Sequence, residues 1–421
     1  VDFVTITPGS LCGKLRMPSS KSHTMRAILF GAMGRGRTII YNYLHSPDTV
    51  AMVRAMQLLG VTVRVNSKTI EIDGVDLQLK PAEDVIDAGN SGQVLRFAGA
   101  LAGLLPSYTI LTGDHSIRHN RPVMPMLGAM EQLGAFAVSS RRDGKAPIVV
   151  RGPLHSGMAR LSGEDSQPVS AMLIATSFLE GKSELFVTDP GETPWIDLTL
   201  FWLRKLGARI THQHYSHYCI EGNLHYDGFE EHVPGDVSSA AFPLVAALIT
   251  GSELVLENLS MENPQGDEAL VEQLIQMGAK IEVDSTGKRL IVQRGGKIGG
   301  GRIDVGRFVD ALPILAVLGC FAEEPVEIAN GSIARTKESD RISTITTELR
   351  KMGALIEERE DGLLVFPQPL RGAQLASHHD HRIAMALAVA ALGAKGESQL
   401  SGTGCIAKTY STFFSDLKIG I

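Results

Sequence analysis

The sequence predicts an α/β protein of two domains, each assembled from three copies of one βαβαββ-type module. Three observations carry that prediction. A chain of 421 residues is too long for a single hydrophobic core, so two domains are the natural division. A Leu/Met-Gly-Ala/Val phrase closes an amphipathic run five times, at Leu59-Gly60-Val61, Leu133-Gly134-Ala135, Leu206-Gly207-Ala208, Met277-Gly278-Ala279 and Met352-Gly353-Ala354. Its glycines stand 74, 73, 71 and 75 residues apart, and Leu417-Lys418-Ile419-Gly420 makes a weaker sixth closure. Such a period is long for a solenoid and suits a repeated supersecondary unit. Finally, six short polar segments each precede a run of small apolar residues at helical spacing.

Taken in order, each copy opens with a small-residue helix. These helices are predicted over Arg26–Met33, Val94–Leu101, Ser170–Phe178, Ala240–Leu248, Leu312–Cys320 and Ile383–Ala391. Small residues on all sides imply burial on all sides. A Gly-bounded β-branched strand follows, as in Thr38-Ile39-Ile40-Tyr41 or Glu253-Leu254-Val255-Leu256. A polar loop then leads to a second helix, such as Thr49–Leu59 or Glu268–Met277. Its glycine takes the left-handed position just past the end, and a strand resumes. Midway, the polar, Pro/Gly-bearing stretch from His225 to Gly235 is the candidate linker, with three copies on either side.

Composition is that of a globular protein, 44% hydrophobic and 20% charged, and it excludes several classes. A formal net charge of −6 argues against a general nucleic-acid binder, so any anion site must be a local concentration of Lys and Arg. Cys12, Cys219, Cys320 and Cys405 lie far apart without CxxC spacing, which predicts reduced thiols. The longest apolar runs, Ala311 to Ala322 and Ile383 to Ala394, are too short to span a membrane. Val1-Asp2-Phe3 does not open a signal peptide. A soluble cytoplasmic protein is expected.

The polar chemistry sits at the mouths of the buried helices. In Pro18-Ser19-Ser20-Lys21-Ser22-His23-Thr24-Met25-Arg26, either Ser20 or Ser22 can cap the helix that follows. The partial positive charge of its N-terminus, beside Lys21 and Arg26, suits a phosphate or carboxylate. Equivalent segments are Gly89-Asn90-Ser91-Gly92, Gly163-Glu164-Asp165-Ser166-Gln167, Gly235-Asp236-Val237-Ser238-Ser239, Val309-Asp310-Ala311 and His378-His379-Asp380-His381-Arg382. If the copies pack symmetrically these tips converge, each contributing about 0.3–1 kcal/mol toward an anion.

Cations cluster at the same loops: Arg96, Arg121, Arg382, Lys408 and the run Arg335-Thr336-Lys337-Glu338-Ser339-Asp340-Arg341. Glu338 and Arg341 are three apart and share a face if the run is helical. They form either a solvated surface pair or a carboxylate set beside guanidiniums that grip a phosphate. His212, His214 and His217 could bind a metal if they alternate along one strand, but no carboxylate completes the set, so a solvated strand is expected. His378, His379 and His381 read as cap and site residues. No Walker A or GxGxxG loop supports nucleotide binding.

Seven of these motifs, in order along nearly the whole chain, resemble the 5-enolpyruvylshikimate-3-phosphate synthase family of enolpyruvyl transferases. They are Pro18-Ser19-Ser20-Lys21-Ser22 with Arg26, Asn90-Ser91-Gly92 with Arg96, Arg121-Pro122, Gly235-Asp236-Val237-Ser238-Ser239, Arg335 to Arg341, Asp380-His381-Arg382-Ile383-Ala384-Met385, and Cys405 with Lys408-Thr409. The resemblance implies two inside-out α/β barrel-like domains with the ligand site in the cleft between them. The first lobe would be residues 19–233, the second residues 1–18 with 234–421. It implies transfer of the enolpyruvyl group of phosphoenolpyruvate to the 5-hydroxyl of shikimate 3-phosphate, with release of phosphate, in aromatic amino-acid biosynthesis. A monomer without metal or organic cofactor, and competition by glyphosate, are likewise implied.

Carried over residue by residue, the resemblance assigns shikimate 3-phosphate to Lys21, Ser22, Arg26, Ser166, Asp310 and Lys337. It assigns phosphoenolpyruvate to Lys21, Gly92, Arg121, Gln167, Arg341, Arg382 and Lys408. Lys21, Asp310 and Glu338 would be catalytic, Asp310 as base for the 5-hydroxyl and Glu338 as acid for the enol methylene. Electrostatics demand such a set, because two unit charges 4 Å apart at an effective dielectric near 20 repel by about 4 kcal/mol. An acid at position 338 needs its proton near neutrality, hence burial or a neighbouring anion. Water must also be excluded, which closing domains provide.

The chain departs from the family pattern at Asp165, Glu192, Trp195 and Ile333, and the loop Gly113 to Arg121 is one residue longer. Two added carboxylates would repel a phosphate unless paired or turned away, and Arg118 competes with Arg121. Two alternatives are UDP-N-acetylglucosamine enolpyruvyl transferase and a catalytically silent anion-binding paralogue. The former calls for Lys-Asn near the start and a cysteine in the mobile loop, whereas Ser22 follows Lys21 and Gly113–Pro122 lacks cysteine.

Overall fold

A computed structural model describes residues 3–260, 264–284 and 286–419. The chain divides into two compact units, Ser19–Val233 and Val1–Pro18 with Pro234–Ile421.

Within Ser19–Val233 three four-stranded sheets share one plan: a parallel pair, then an antiparallel hairpin on its second strand. The second copy runs Ile86–Asp87, Thr109–Thr112, Ile148–Arg151, Phe136–Ser139 across the sheet. The third runs Met158–Ser162, Ser183–Thr188, His217–Ile220, Ile210–Gln213. In the first, Arg35–Tyr41 and the hairpin Thr62–Val65/Thr69–Val75 take their parallel strand from far along the chain, Glu230–His232. The stretch His225 to Gly235 is therefore no linker. Most of it is tied into this sheet, with the Tyr226 hydroxyl donating to the Phe30 carbonyl, and the unit boundary falls between Val233 and Pro234. A three-residue strand reading Glu-Glu-His offers no hydrophobic alternation to betray it.

The other unit repeats the plan with Cys12–Arg16, Glu253–Glu257, Leu290–Val292 and Ile281–Val283, and again with Gly301–Asp304, Val326–Ala329, Gly362–Phe366 and Leu355–Arg359. Its third sheet has Gln374–Ala376 parallel to Ser398–Ser401, completed by Phe3–Ile6. Cys12–Arg16, next before the first helix in sequence, thus belongs to this unit's sheet, and Glu230–His232 fills the corresponding place in the other.

The six opening helices span Lys21–Met33, Gly92–Ala102, Ser166–Ser177, Val237–Thr250, Leu312–Cys320 and His381–Gly393, several beginning earlier than periodicity alone predicted. The polar residues ahead of them extend the helix as caps. Ser20 accepts from the His23 N–H, Ser91 from Val94, Asp165 from Gln167, Asp236 from Ser239 and Asp380 from Arg382. Most residues of each are buried around the whole circumference, and Val237–Thr250, Leu312–Cys320 and His381–Gly393 pack on one another in all three pairings. Helices inside and sheets outside make each unit an inside-out α/β fold.

The glycine closures are Schellman motifs. Gly60, Gly134, Gly207, Gly278 and Gly353 all have φ between 90° and 101°. In each the next residue donates to the carbonyl five positions back, as Val61 does to Met56 and Ala354 to Leu349. Gly420, the predicted sixth closure, lies outside the described residues. The left-handed residue there is Lys418, φ 53°, with Ile419 donating to Phe414. The histidine run does not set its three side chains on one face. His212 faces Tyr218 across the hairpin while His217 faces Gln213, so the two point to opposite faces, and His214 lies in the turn with positive φ.

Candidate active site

In Ser19–Val233 the helix mouths bring together the residues that the sequence singled out there. Lys21 opens its helix with Nζ 3.6 Å from the buried carboxylate of Asp48. The Ser22 hydroxyl accepts from Gln93 Nε2 at 3.1 Å. Arg26 is only 1% exposed and stands 5.2 Å from the Phe97 ring centroid. Its guanidinium donates to Thr199 Oγ1 (3.1 and 2.7 Å) and to the carbonyls of Ser22 (3.1 Å) and Trp195 (3.3 Å). Among the described residues no carboxylate pairs with it, and burial pulls its pKa down to about 9. A buried cation balanced only by neutral oxygens favours an arriving anion.

Gly92 is the pivot of the neighbouring mouth. A Cβ there would lie 2.6 Å from Arg121 Nη2, 2.7 Å from Arg96 Nη1 and 3.0 Å from Gln167 Oε1, so only glycine allows that approach. Arg121 is thereby placed beside the helix N-terminus. Arg118 instead donates to the Gly113 carbonyl. Asp165, a departure from the family pattern, is paired: Oδ2 lies 2.8 Å from Arg96 Nη2 while Oδ1 caps the Ser166 helix. Glu192 is buried, its own φ left-handed at 45°, and Oε2 accepts from the Ser166 N–H (3.3 Å) and hydroxyl (3.4 Å). The carboxylate therefore already occupies that helix mouth.

In the unit completed by Pro234–Ile421, Asp310, Glu338, Arg341, Arg382 and Lys408 form one hydrogen-bonded network. Arg341, 1% exposed, reaches Asp310 (2.7 Å), Glu338 (2.8 Å) and Asp380 (2.8 and 3.3 Å). Burial alone would lower its pKa; the three carboxylates raise it above the ordinary arginine value. Arg382 Nη2 donates to Asp310 at 3.1 Å, and Nη1 to the Ser238 carbonyl at 3.2 Å. Lys408 Nζ reaches Glu338 Oε1 at 2.7 Å. Burial would raise the Asp310 carboxyl, yet Arg382, Arg341 and Lys337 together hold it well below the usual carboxylate range. Glu338 has two cations as hydrogen-bonding neighbours, Arg341 and Lys408, and also lies within electrostatic reach of the Asp310 carboxylate.

Two carboxylates in this network escape sequence reasoning. Asp380 both caps the His381 helix and grips Arg341, while also accepting from the Ser339 hydroxyl. Asp267 is fully buried 3.9 Å from Arg382 Nη1, and burial followed by the Asp310 charge raises its pKa to about 7. The cap at Asp380 was legible, its pairing across 39 residues was not; Asp267 carries no local signal. His378 is held by the buried Glu348 (2.8 Å) instead of joining the network.

Comparison with known proteins agrees with this architecture. A family model described as EPSP synthase (3-phosphoshikimate 1-carboxyvinyltransferase) matches residues 6–417. The chain is 44% identical over 420 residues to the 3-phosphoshikimate 1-carboxyvinyltransferase of Chlamydia pneumoniae, covering 98% of this chain and 92% of that protein. It is 39% identical over 405 residues to that of Acetivibrio thermocellus, covering 96% and 95%. An EPSP synthase structure from Acinetobacter baumannii superposes with a TM-score of 0.83 at 27% identity, covering 99% of this chain and 97% of that one. Among the described residues no helix is long and apolar enough to cross a membrane. With family, relatives and fold in agreement over nearly the full length, the chain belongs to the EPSP synthase family.

Proposed function

We propose that this chain transfers the enolpyruvyl group of phosphoenolpyruvate to the 5-hydroxyl of shikimate 3-phosphate and releases inorganic phosphate. One observation carries the reading beyond family membership: two carboxylates suited to proton transfer, Asp310 and Glu338, share the cations Arg341, Arg382 and Lys408. Without substrate those cations suppress both roles, since a strongly depressed carboxylate is a weak base and an ionised one is no acid.

Arriving anions reverse this. The phosphate and carboxylate of phosphoenolpyruvate engage Lys21, Gly92, Arg121, Gln167, Arg341, Arg382 and Lys408. Shikimate 3-phosphate engages Lys21, Ser22, Arg26, Ser166 and Lys337. Asp310, relieved of its cations, accepts the proton of the 5-hydroxyl as that oxygen bonds to C2 of the donor. Glu338, now beside a substrate anion, gives its proton to the methylene carbon C3. Reversal of that C3 protonation expels phosphate and restores the double bond. Glu192 must yield the Ser166 N–H to the acceptor phosphate. In this reading the enzyme works as a cytoplasmic monomer, and glyphosate competes with phosphoenolpyruvate.

The test is phosphate release by the purified protein given both substrates. Release that requires shikimate 3-phosphate supports the proposal. Release only with UDP-N-acetylglucosamine would move it to the other transferase, and none with either acceptor would make the chain a silent paralogue.

A further inference from the structure

We propose that Glu184, His217 and Cys219 bind one divalent cation of the zinc class on the outer sheet of the third copy, a site with no part in the transfer chemistry. Strand register builds it. Glu184 stands opposite Cys219 and Phe186 opposite His217, so all four side chains share one face. The ligating atoms of the three residues lie within 4.8 Å of one another, the one such His/Cys/Asp/Glu group among the described residues. Glu184 Oε2 is 2.9 Å and Cys219 Sγ 3.7 Å from His217 Nε2.

Those separations suit a tetrahedral centre. With metal bonds of about 2.0–2.1 Å to nitrogen and oxygen and about 2.3 Å to sulfur, ligand pairs stand roughly 3.3–3.6 Å apart. Each measured pair reaches that range by a shift of under ~0.5 Å. The His217 ring is oriented in advance by stacking on Phe186, centroids 4.5 Å apart and planes within 6°. Glu184 and His217 are about a quarter exposed, and Cys219 lines an open depression of about 830 Å³, so a hydrated ion can reach all three. Thiolate with imidazole selects zinc over magnesium or calcium, and three protein ligands leave the fourth position to water. On binding, the Cys219 S–H proton passes to solvent as the sulfur–metal bond forms. Lys182 opposes the ion, its Nζ 3.0 Å from Glu184 Oε1.

Cobalt(II) is the probe, because a thiolate ligand gives it a charge-transfer band. Titration of the full chain is expected to saturate that band at one equivalent, with zinc displacing it. Cys219→Ser is expected to abolish the band while Cys12→Ser and Cys405→Ser retain it. Glu184→Gln and His217→Asn are expected to weaken binding at least tenfold, and Lys182→Met to tighten it severalfold. Circular dichroism establishes that each variant is folded. Absence of the band, its survival in Cys219→Ser, or unchanged affinity in both Glu184→Gln and His217→Asn would overturn the proposal.

Discussion

Arg26, in the opening helix Lys21–Met33 of one unit, and Arg341, first residue of the helix Arg341–Lys351 in the other, are equally buried, each 1% exposed, yet their surroundings are opposites. Arg26 meets hydroxyl and carbonyl oxygens, whereas Arg341 meets Asp310, Glu338 and Asp380. A guanidinium without a counter-ion stores affinity for an anion at the expense of stability. One inside a triad of carboxylates is stable but must exchange partners before it can hold a ligand. In the proposed reaction this contrast divides the labour: Ser19–Val233 would supply a standing anion site, and the other unit proton-transfer groups whose charge state depends on what is bound.

The sharpest way to break that division is to remove the reacting groups. Glu338→Ala and Lys21→Met are each expected to lower kcat by about 10²–10⁴-fold, with melting temperature little changed. A large fall in melting temperature with turnover retained would return both residues to a structural role. Next in size is the contrast itself. Arg341→Met leaves three carboxylates without their shared cation and is expected to cost about 3–5 kcal/mol in chemical denaturation. Arg26→Met is expected to cost less than half of that while losing shikimate 3-phosphate binding in calorimetry. Equal costs would erase the distinction.

A smaller effect concerns Asp267, whose buried carboxyl keeps its proton up to about pH 7 in the folded chain, against about pH 4 when unfolded. Between those values the folded state binds more protons, so wild-type stability falls as pH rises across that window. Asp267→Asn removes the fall, and its melting temperature relative to wild type is expected to climb from pH 4 to pH 7. A difference that stays constant with pH would contradict this. Smallest is Ser20→Ala, expected to cost about 1 kcal/mol through the lost cap on the Lys21 helix; an unchanged melting temperature would mean the cap adds nothing there.

What the sequence made legible was what is local. Schellman glycines, polar caps and small-residue helices each occupy a few consecutive residues, and their recurrence exposed six copies and the helix mouths. Long-range pairing stayed hidden. Glu230–His232 becomes a strand only because Ile39–Tyr41 offers it an edge. Glu184 joins His217 only through cross-strand register, which is why the histidine run read as a solvated strand. Asp267 gains its raised pKa from burial and the Asp310 charge, against the opposing pull of Arg382, and neither residue is a neighbour in sequence. The departures at Asp165 and Glu192 split the same way. The family resemblance singled out both, but only the fold gives Asp165 to Arg96 and Glu192 to the Ser166 helix.

The exchange of cations from carboxylate to substrate is tested most directly by counting protons when phosphoenolpyruvate binds. Calorimetry at pH 8 in buffers of differing ionisation enthalpy gives that number for wild type and for Glu338→Gln. Wild type is expected to take up a proton that the variant does not, as Lys408 and Arg341 leave Glu338 for the ligand. Identical proton counts in the two proteins would mean that Glu338 keeps its cations, and the account of the site would fail.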